Sequence, residues 1–131
     1  MVLDCGSWKP QYEELLNFTD FAICSADFHP PGCASADDIF EYLKQKGVKY
    51  SAVSRGSESL LFQDEKGRGE LPVKQVKVAD TLGAGDFLHG AFCFWFLKED
   101  YDFRHALQNA VVLATFTCRF EGTRSWLKFA E

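Results

Sequence analysis

At 131 residues, 47% of them hydrophobic and 15% aromatic, the chain has enough apolar matter to close one core, and a single domain over residues 1–131 is expected. Its 14 basic residues are outnumbered by 19 acidic ones for a net charge of −5, and no Lys or Arg cluster exceeds two, which argues against a nucleic-acid or anionic-membrane surface and for small-molecule chemistry. Cys5, Cys24, Cys33, Cys93 and Cys118 are odd in number and form no C-x-x-C pair, so neither a disulfide framework nor a zinc site is indicated, and reduced, buried thiols are expected.

Val2 to Cys5 reads as a short buried strand, Pro10 to Leu16 as a helix with proline near its start, and Phe21 to Ser25 as a second strand. His29 to Ala34, HPPGCA, is a turn that cannot be helical. Ser35 with Asp38 three residues later makes a capping box for a helix running to Lys46 and closed by Gly47, with Asp37 and Asp38 complementing its dipole. Tyr50 to Ser54 is a strand, Leu60 to Gln63 and Gln75 to Val78 are further strands around the turn DEKGRG, and two long helices begin near Gly83 and Phe103. Phe92, Phe94, Trp95 and Phe96 continue the first of these helices and read as core or interface rather than as a stacking platform. Strands separated by helices imply an α/β fold with a mainly parallel sheet flanked by helices, where ligands bind at the carboxyl ends of strands beside helix starts. No signal-peptide pattern follows Met1, and the apolar run near Phe92 to Leu97 is too short to span a bilayer, so a cytoplasmic protein without a membrane partner is expected.

The stretch Asp80 to Ala91, DTLGAGDFLHGA, carries the chemistry. Two glycines, an alanine and an aspartate stand where the strand-like KQVKV gives way to an apolar helix. Gly83 and Gly85 lack Cβ atoms, so their amides can approach an anion closely while the new helix aims its positive dipole end at the same place. Asp86 falls in the first helical turn, and a carboxylate beside a bound phosphate suits a base that takes the proton of an attacking hydroxyl. Gly83, Gly85 and Gly90 give G-x-G-x-x-x-x-G rather than a dinucleotide fingerprint, and no G-x-x-x-x-G-K-[ST] occurs, so neither a Rossmann dehydrogenase nor a P-loop NTPase is supported. His89, one helical turn from Asp86, reads as structural.

This segment resembles the D-T-x-G-A-G-D-x-F-x-G-A signature of the ribokinase-like (PfkB) carbohydrate kinases, with Asp80, Thr81, Gly83, Ala84, Gly85, Asp86, Gly90 and Ala91 matching. A chance match of that many specified residues at one site has a probability on the order of 10⁻¹⁰. The chain departs at Leu88, where the family usually has Phe, and at Leu82, where many members carry Thr. The opening VLDCGSWKPQYEELLNFTDFAICSADF, the segment SAVSRGSESLLFQD and the closing HALQNAVVLATFTCRFEGTRSW are also similar to that family, so the resemblance covers essentially the whole chain. It covers the C-terminal portion only of a ribokinase-like kinase, whose sugar-contacting residues and lid strands lie mostly upstream.

The resemblance implies an ATP-dependent phosphotransferase acting on a sugar hydroxyl, with Asp86 as catalytic base and an anion hole of Leu82, Gly83, Ala84 and Gly85. It implies nucleotide contacts from Gly56, Asn109 and Gly122, the alternatives being a solvated helix Asn and a simple turn. Asp80, the Leu82 carbonyl and the Gly122 turn would hold a monovalent cation such as K⁺, or Asp80 would be a buried or capping carboxylate. Mg²⁺ is expected with ATP because it bridges β- and γ-phosphate oxygens. The family's N-x-x-E element should lie near Ser25 to Phe28, where this chain has SADF, leaving Asp27 as the substitute. A noncatalytic nucleotide-binding or scaffold fragment is the alternative function. The isolated 131-residue chain is expected to be inactive and open to homo-oligomer formation, with ATP and a sugar or sugar-like molecule as its small-molecule partners.

Overall fold

Short apolar runs separated by turn residues fold into a five-stranded sheet in a computed structural model that describes residues 1–55, 58–73, 84–98 and 102–117. The chain divides into two compact units, Met1–Pro72 and Val73–Glu131, and the sheet belongs to the first.

In that unit β1 (Val2–Cys5), β2 (Phe21–Cys24) and β3 (Tyr50–Val53) pair in parallel, aligning Cys5 with Cys24 and Cys24 with Val53. Parallel neighbours need a crossover between them. A short helix α1 (Tyr12–Leu15) running into a 3-10 turn (Leu16–Phe18) makes the first, and α2 (Ala36–Gln45) the second. β4 (Leu60–Asp64) and β5 (Gly67–Leu71) continue the sheet as an antiparallel hairpin, so the strand order follows the chain and the α/β sheet is mixed.

α1 is shorter than the run Pro10 to Leu16 predicts. Thr19 explains its end: its hydroxyl donates to the Leu15 carbonyl at 2.8 Å and its amide to the Leu16 carbonyl, which closes the last turn tightly. α2 matches its sequence signals. The Ser35 hydroxyl accepts the Asp38 amide, the Asp38 carboxylate accepts the Ser35 amide, and Gly47 leaves the helix at φ 90°. Asp37 meets the Arg68 guanidinium at 3.0 Å.

The core of this unit lies between the sheet and its helices. Cys5, Ala22, Cys24 and Val53 meet Leu16, Phe28, Phe40 and Leu43, all buried. Trp8 and Tyr12 both pack edge-on against the buried Phe28, at centroid distances of 5.9 and 5.4 Å. Cys5 and Cys24 are buried free thiols as expected, whereas Cys33 and Cys93 are free but only half-buried, and Cys118 lies outside the described residues.

In the second unit α3 (Ala84–Lys98) and α4 (Phe103–Thr117) pack against each other. Phe92, fully buried, stacks on Phe96 and meets Phe103 edge-on at 5.6 Å, while Phe94 stays exposed. Asp102 caps α4, its carboxylate accepting the His105 amide at 2.8 Å. The strand expected over Gln75 to Val78 lies outside the described residues. Among the described residues, no helix is long and apolar enough to cross a membrane.

Candidate functional site

The parallel register lines up the carboxyl ends of β1, β2 and β3, the rim at which α/β sheets receive ligands. Beyond each end the chain is tied back. The Ser25 amide donates to the Cys5 carbonyl and the Ser54 amide to the Cys24 carbonyl, both at 2.9 Å, extending the ladder past the strands. After β1, the Gly6 amide donates to the Tyr12 hydroxyl at 3.1 Å.

After β2, Ser25 to Phe28 forms a turn in which the Phe28 amide reaches the Ser25 carbonyl and the Asp27 amide reaches the Ser25 hydroxyl at 3.3 Å. Phe28 anchors it by burying its ring completely, which leaves the Asp27 side chain exposed. Here the resemblance expects the N-x-x-E element, and Asp27 is the acidic group present.

After β3, Arg55 is tied to Ser59 and through it to β5. Its Nε donates to the Ser59 carbonyl at 2.7 Å and its Nη2 to the Ser59 hydroxyl at 2.6 Å; that hydroxyl in turn donates to the Glu70 carboxylate at 2.7 Å. The sequence reading names Gly56 and passes over this clamp. Glu70 is joined to Ser59 only by the β4–β5 hairpin, a pairing that no local motif announces. Gly56 itself lies outside the described residues.

In the second unit the helix α3 begins at Ala84, so Ala84, Gly85 and Asp86 occupy its first turn. Amides in a first turn have no carbonyl to bond within the helix and sit at its positive dipole end. An anion would meet those donors there. Gly85 is helical, a backbone conformation open to any residue. Asp80, Leu82, Gly83 and Gly122 lie outside the described residues.

Asn109 sits half-buried on α4 and donates its Nδ2 to the His105 carbonyl at 3.0 Å. In that conformation its amide serves its own helix. Among the described residues no group of three or more His, Cys, Asp or Glu side chains gathers to hold a metal ion.

Residues 3–129 match the pfkB family of carbohydrate kinases. A ribokinase of Lactococcus lactis subsp. lactis is 32% identical over 104 residues, which cover 76% of this chain and 32% of the relative. Among solved structures, the ribokinase of Thermotoga maritima has a TM-score of 0.83 at 21% identity, over 95% of this chain and 44% of its own. The aminoimidazole riboside kinase of Salmonella enterica, complexed with aminoimidazole riboside and an ATP analogue, has a TM-score of 0.81 at 22% identity, over 96% and 48% respectively. At such identities the structural likeness is one of fold. The chain spans about a third of the length of its ribokinase relative from L. lactis.

Proposed function

The chain belongs to the pfkB family of carbohydrate kinases, and from that premise we propose that it is the nucleotide-binding and catalytic part of an ATP-dependent phosphotransferase acting on a sugar hydroxyl. The observation that carries this reading is the start of α3 at Ala84, which sets free first-turn amides and Asp86 within one helical turn.

In this reading the amides of Leu82, Gly83, Ala84 and Gly85 bind the phosphoryl oxygens and take up charge as it spreads over them. They are fixed before the reaction, so no reorganisation is needed at the moment of transfer. Asp86 accepts the proton of the sugar hydroxyl as that oxygen attacks, and its place in the first turn keeps base and phosphoryl group close enough for one geometry to serve both. Gly56, Asn109 and Gly122 lie against the nucleotide, Asn109 by exchanging its bond to the His105 carbonyl for the ligand. Asp80, with the Leu82 carbonyl and the Gly122 turn, holds a monovalent cation such as K⁺.

Mg²⁺ arriving with ATP would supply charge neutralisation on the phosphates, and it would need few protein ligands because it keeps several waters. The likeness to a kinase crystallised with a riboside supports a sugar or sugar-like acceptor. In this reading the protein acts in the cytoplasm.

A noncatalytic nucleotide-binding or scaffold fragment is the second reading. Calorimetric titration with MgATP separates a binder from an inert scaffold. Phosphorylation of a panel of sugars and ribosides separates an enzyme from both.

A further inference from the structure

Cys5 ends β1 and Cys24 ends β2, and the parallel register makes them direct neighbours in the ladder. Direct neighbours project to the same face of a sheet, and both side chains enter one buried cluster with Leu16, Phe28 and Leu43. Both are free thiols, 0% and 1% exposed. The Cys5 Sγ reaches the Leu3 carbonyl only at 3.9 Å, so no strong bond holds it away from its neighbour.

Adjacent strands lie about 4.8 Å apart, inside the range of about 4.4–6.8 Å between Cα atoms that a disulfide spans. Side chains that project in parallel keep their Cβ atoms near the strand spacing, beyond the roughly 3.8 Å of a relaxed bridge, so closing one draws the strand ends together. The pair lies directly beneath the rim. The Cys5 carbonyl accepts the Ser25 amide at 2.9 Å, the Gly6 amide donates to the Tyr12 hydroxyl, and the turn Ser25 to Phe28 follows Cys24. Among the described residues a Cβ on Gly6 would meet nothing within 4 Å, so there is open space beside the end of β1. Burial, with the Cys5 thiol beside it, pushes the Cys24 thiol up, so the pair is inert while the strand ends are closed and reacts when they open.

We propose that Cys5 and Cys24 are a peroxide-sensitive pair that closes reversibly into a disulfide and so pulls on the two turns at the rim. One thiolate attacks hydrogen peroxide and breaks its O–O bond, leaving a sulfenic acid and a hydroxide that takes up the thiol proton as water. The second sulfur attacks the first, forming the S–S bond and expelling the sulfenic oxygen, which leaves with the second proton as water. Two thiols and one peroxide thus give one disulfide and two waters, and a dithiol reductant reverses the step. The pair does not depend on the kinase reading.

The test treats the folded 131-residue chain with dilute hydrogen peroxide, blocks the remaining thiols with N-ethylmaleimide, and maps the peptides of the monomer band from a non-reducing denaturing gel by mass spectrometry. The expected result is a peptide pair joining Cys5 to Cys24 that dominates every other pairing and disappears with dithiothreitol. The same treatment in denaturing urea should lose that preference, and Cys33→Ser with Cys93→Ser should leave it in place. Backbone NMR of the oxidised chain should show the Gly6, Ser25 and Phe28 amide signals shifted, and returned by reduction. The proposal is overturned if Cys5 and Cys24 stay reduced while Cys33 and Cys93 are oxidised, or if both reach sulfonic acids without a cross-link. Equal pairing in urea, or rim amides that do not move on oxidation, would overturn it as well.

Discussion

The ring of Phe62 on β4 lies over Gly69, its cross-strand partner on β5, so closely that a Cβ on Gly69 would stand 2.6 Å from Phe62 Cζ. Phe62 is only 3% exposed, and its ring has little room to withdraw. Gly69→Val should therefore lower stability by about 1–3 kcal/mol, the range for overpacking a filled site. Urea unfolding measures it, and Phe62→Leu in the same chain should recover part of the loss. Equal stability of Gly69→Val and wild type would mean that the ring moves freely.

The capping box of α2 makes stability depend on acid. The amides of Ala34 and Ser35 hold the Asp38 carboxyl below its ordinary range. A carboxyl depressed by folding contributes stability that is present above its unfolded value of about 3.9 and lost as pH falls through the lower folded value. Asp38→Asn should flatten that part of the acid limb. Unfolding curves at a series of pH values below about 5 check it, and an unchanged slope in the variant would remove Asp38 as its source.

These two cases mark what the sequence makes legible. The α2 cap is local: Ser35, Asp38 and Gly47 carry their own signals, and all three act as their residue types predict. β5 is not local. Its residues GRGEL offer two glycines and two charges, poor strand formers, and the first three of them read as part of the turn DEKGRG. They pair because β4 presents an open edge and because Asp64 accepts the Lys66 amide at 2.9 Å, closing a short turn that Gly67 leaves at φ 130°. At the site, the helix start that places Asp86 was legible because glycines before an apolar run mark it. The Arg55–Ser59–Glu70 clamp was not, since it depends on that same unannounced pairing.

Gly85→Val should damage nucleotide binding while leaving α3 intact. A helical position accepts valine with a modest loss, but the added methyl groups would stand beside the first-turn donors where phosphate must approach. Calorimetry with MgATP should show at least a tenfold weaker affinity, about 1.4 kcal/mol. A folded variant with wild-type affinity would remove this turn from the anion site.

The 131-residue chain alone should phosphorylate no sugar at a meaningful rate, because catalysis needs the acceptor hydroxyl held within reach of both the base and the γ-phosphate. β1 also stands at an edge of the described sheet, with Met1, Leu15 and Phe18 exposed in the same unit. An open strand edge and apolar surface favour self-association. Gel filtration with light scattering should show species larger than a monomer; a monomer with brisk sugar-dependent turnover would contradict both parts.

Radiolabelled γ-phosphoryl transfer to a panel of sugars and ribosides, by the chain fused behind the upstream portion of a ribokinase relative, puts the central claim to its most direct test. With wild-type sequence the fusion should transfer phosphate to at least one acceptor. Asp86→Asn should lower that rate by about 10²- to 10⁴-fold, the range for a lost general base, while MgATP affinity stays within a few-fold. Undiminished transfer by Asp86→Asn would reduce Asp86 to a helix cap and contradict the mechanism.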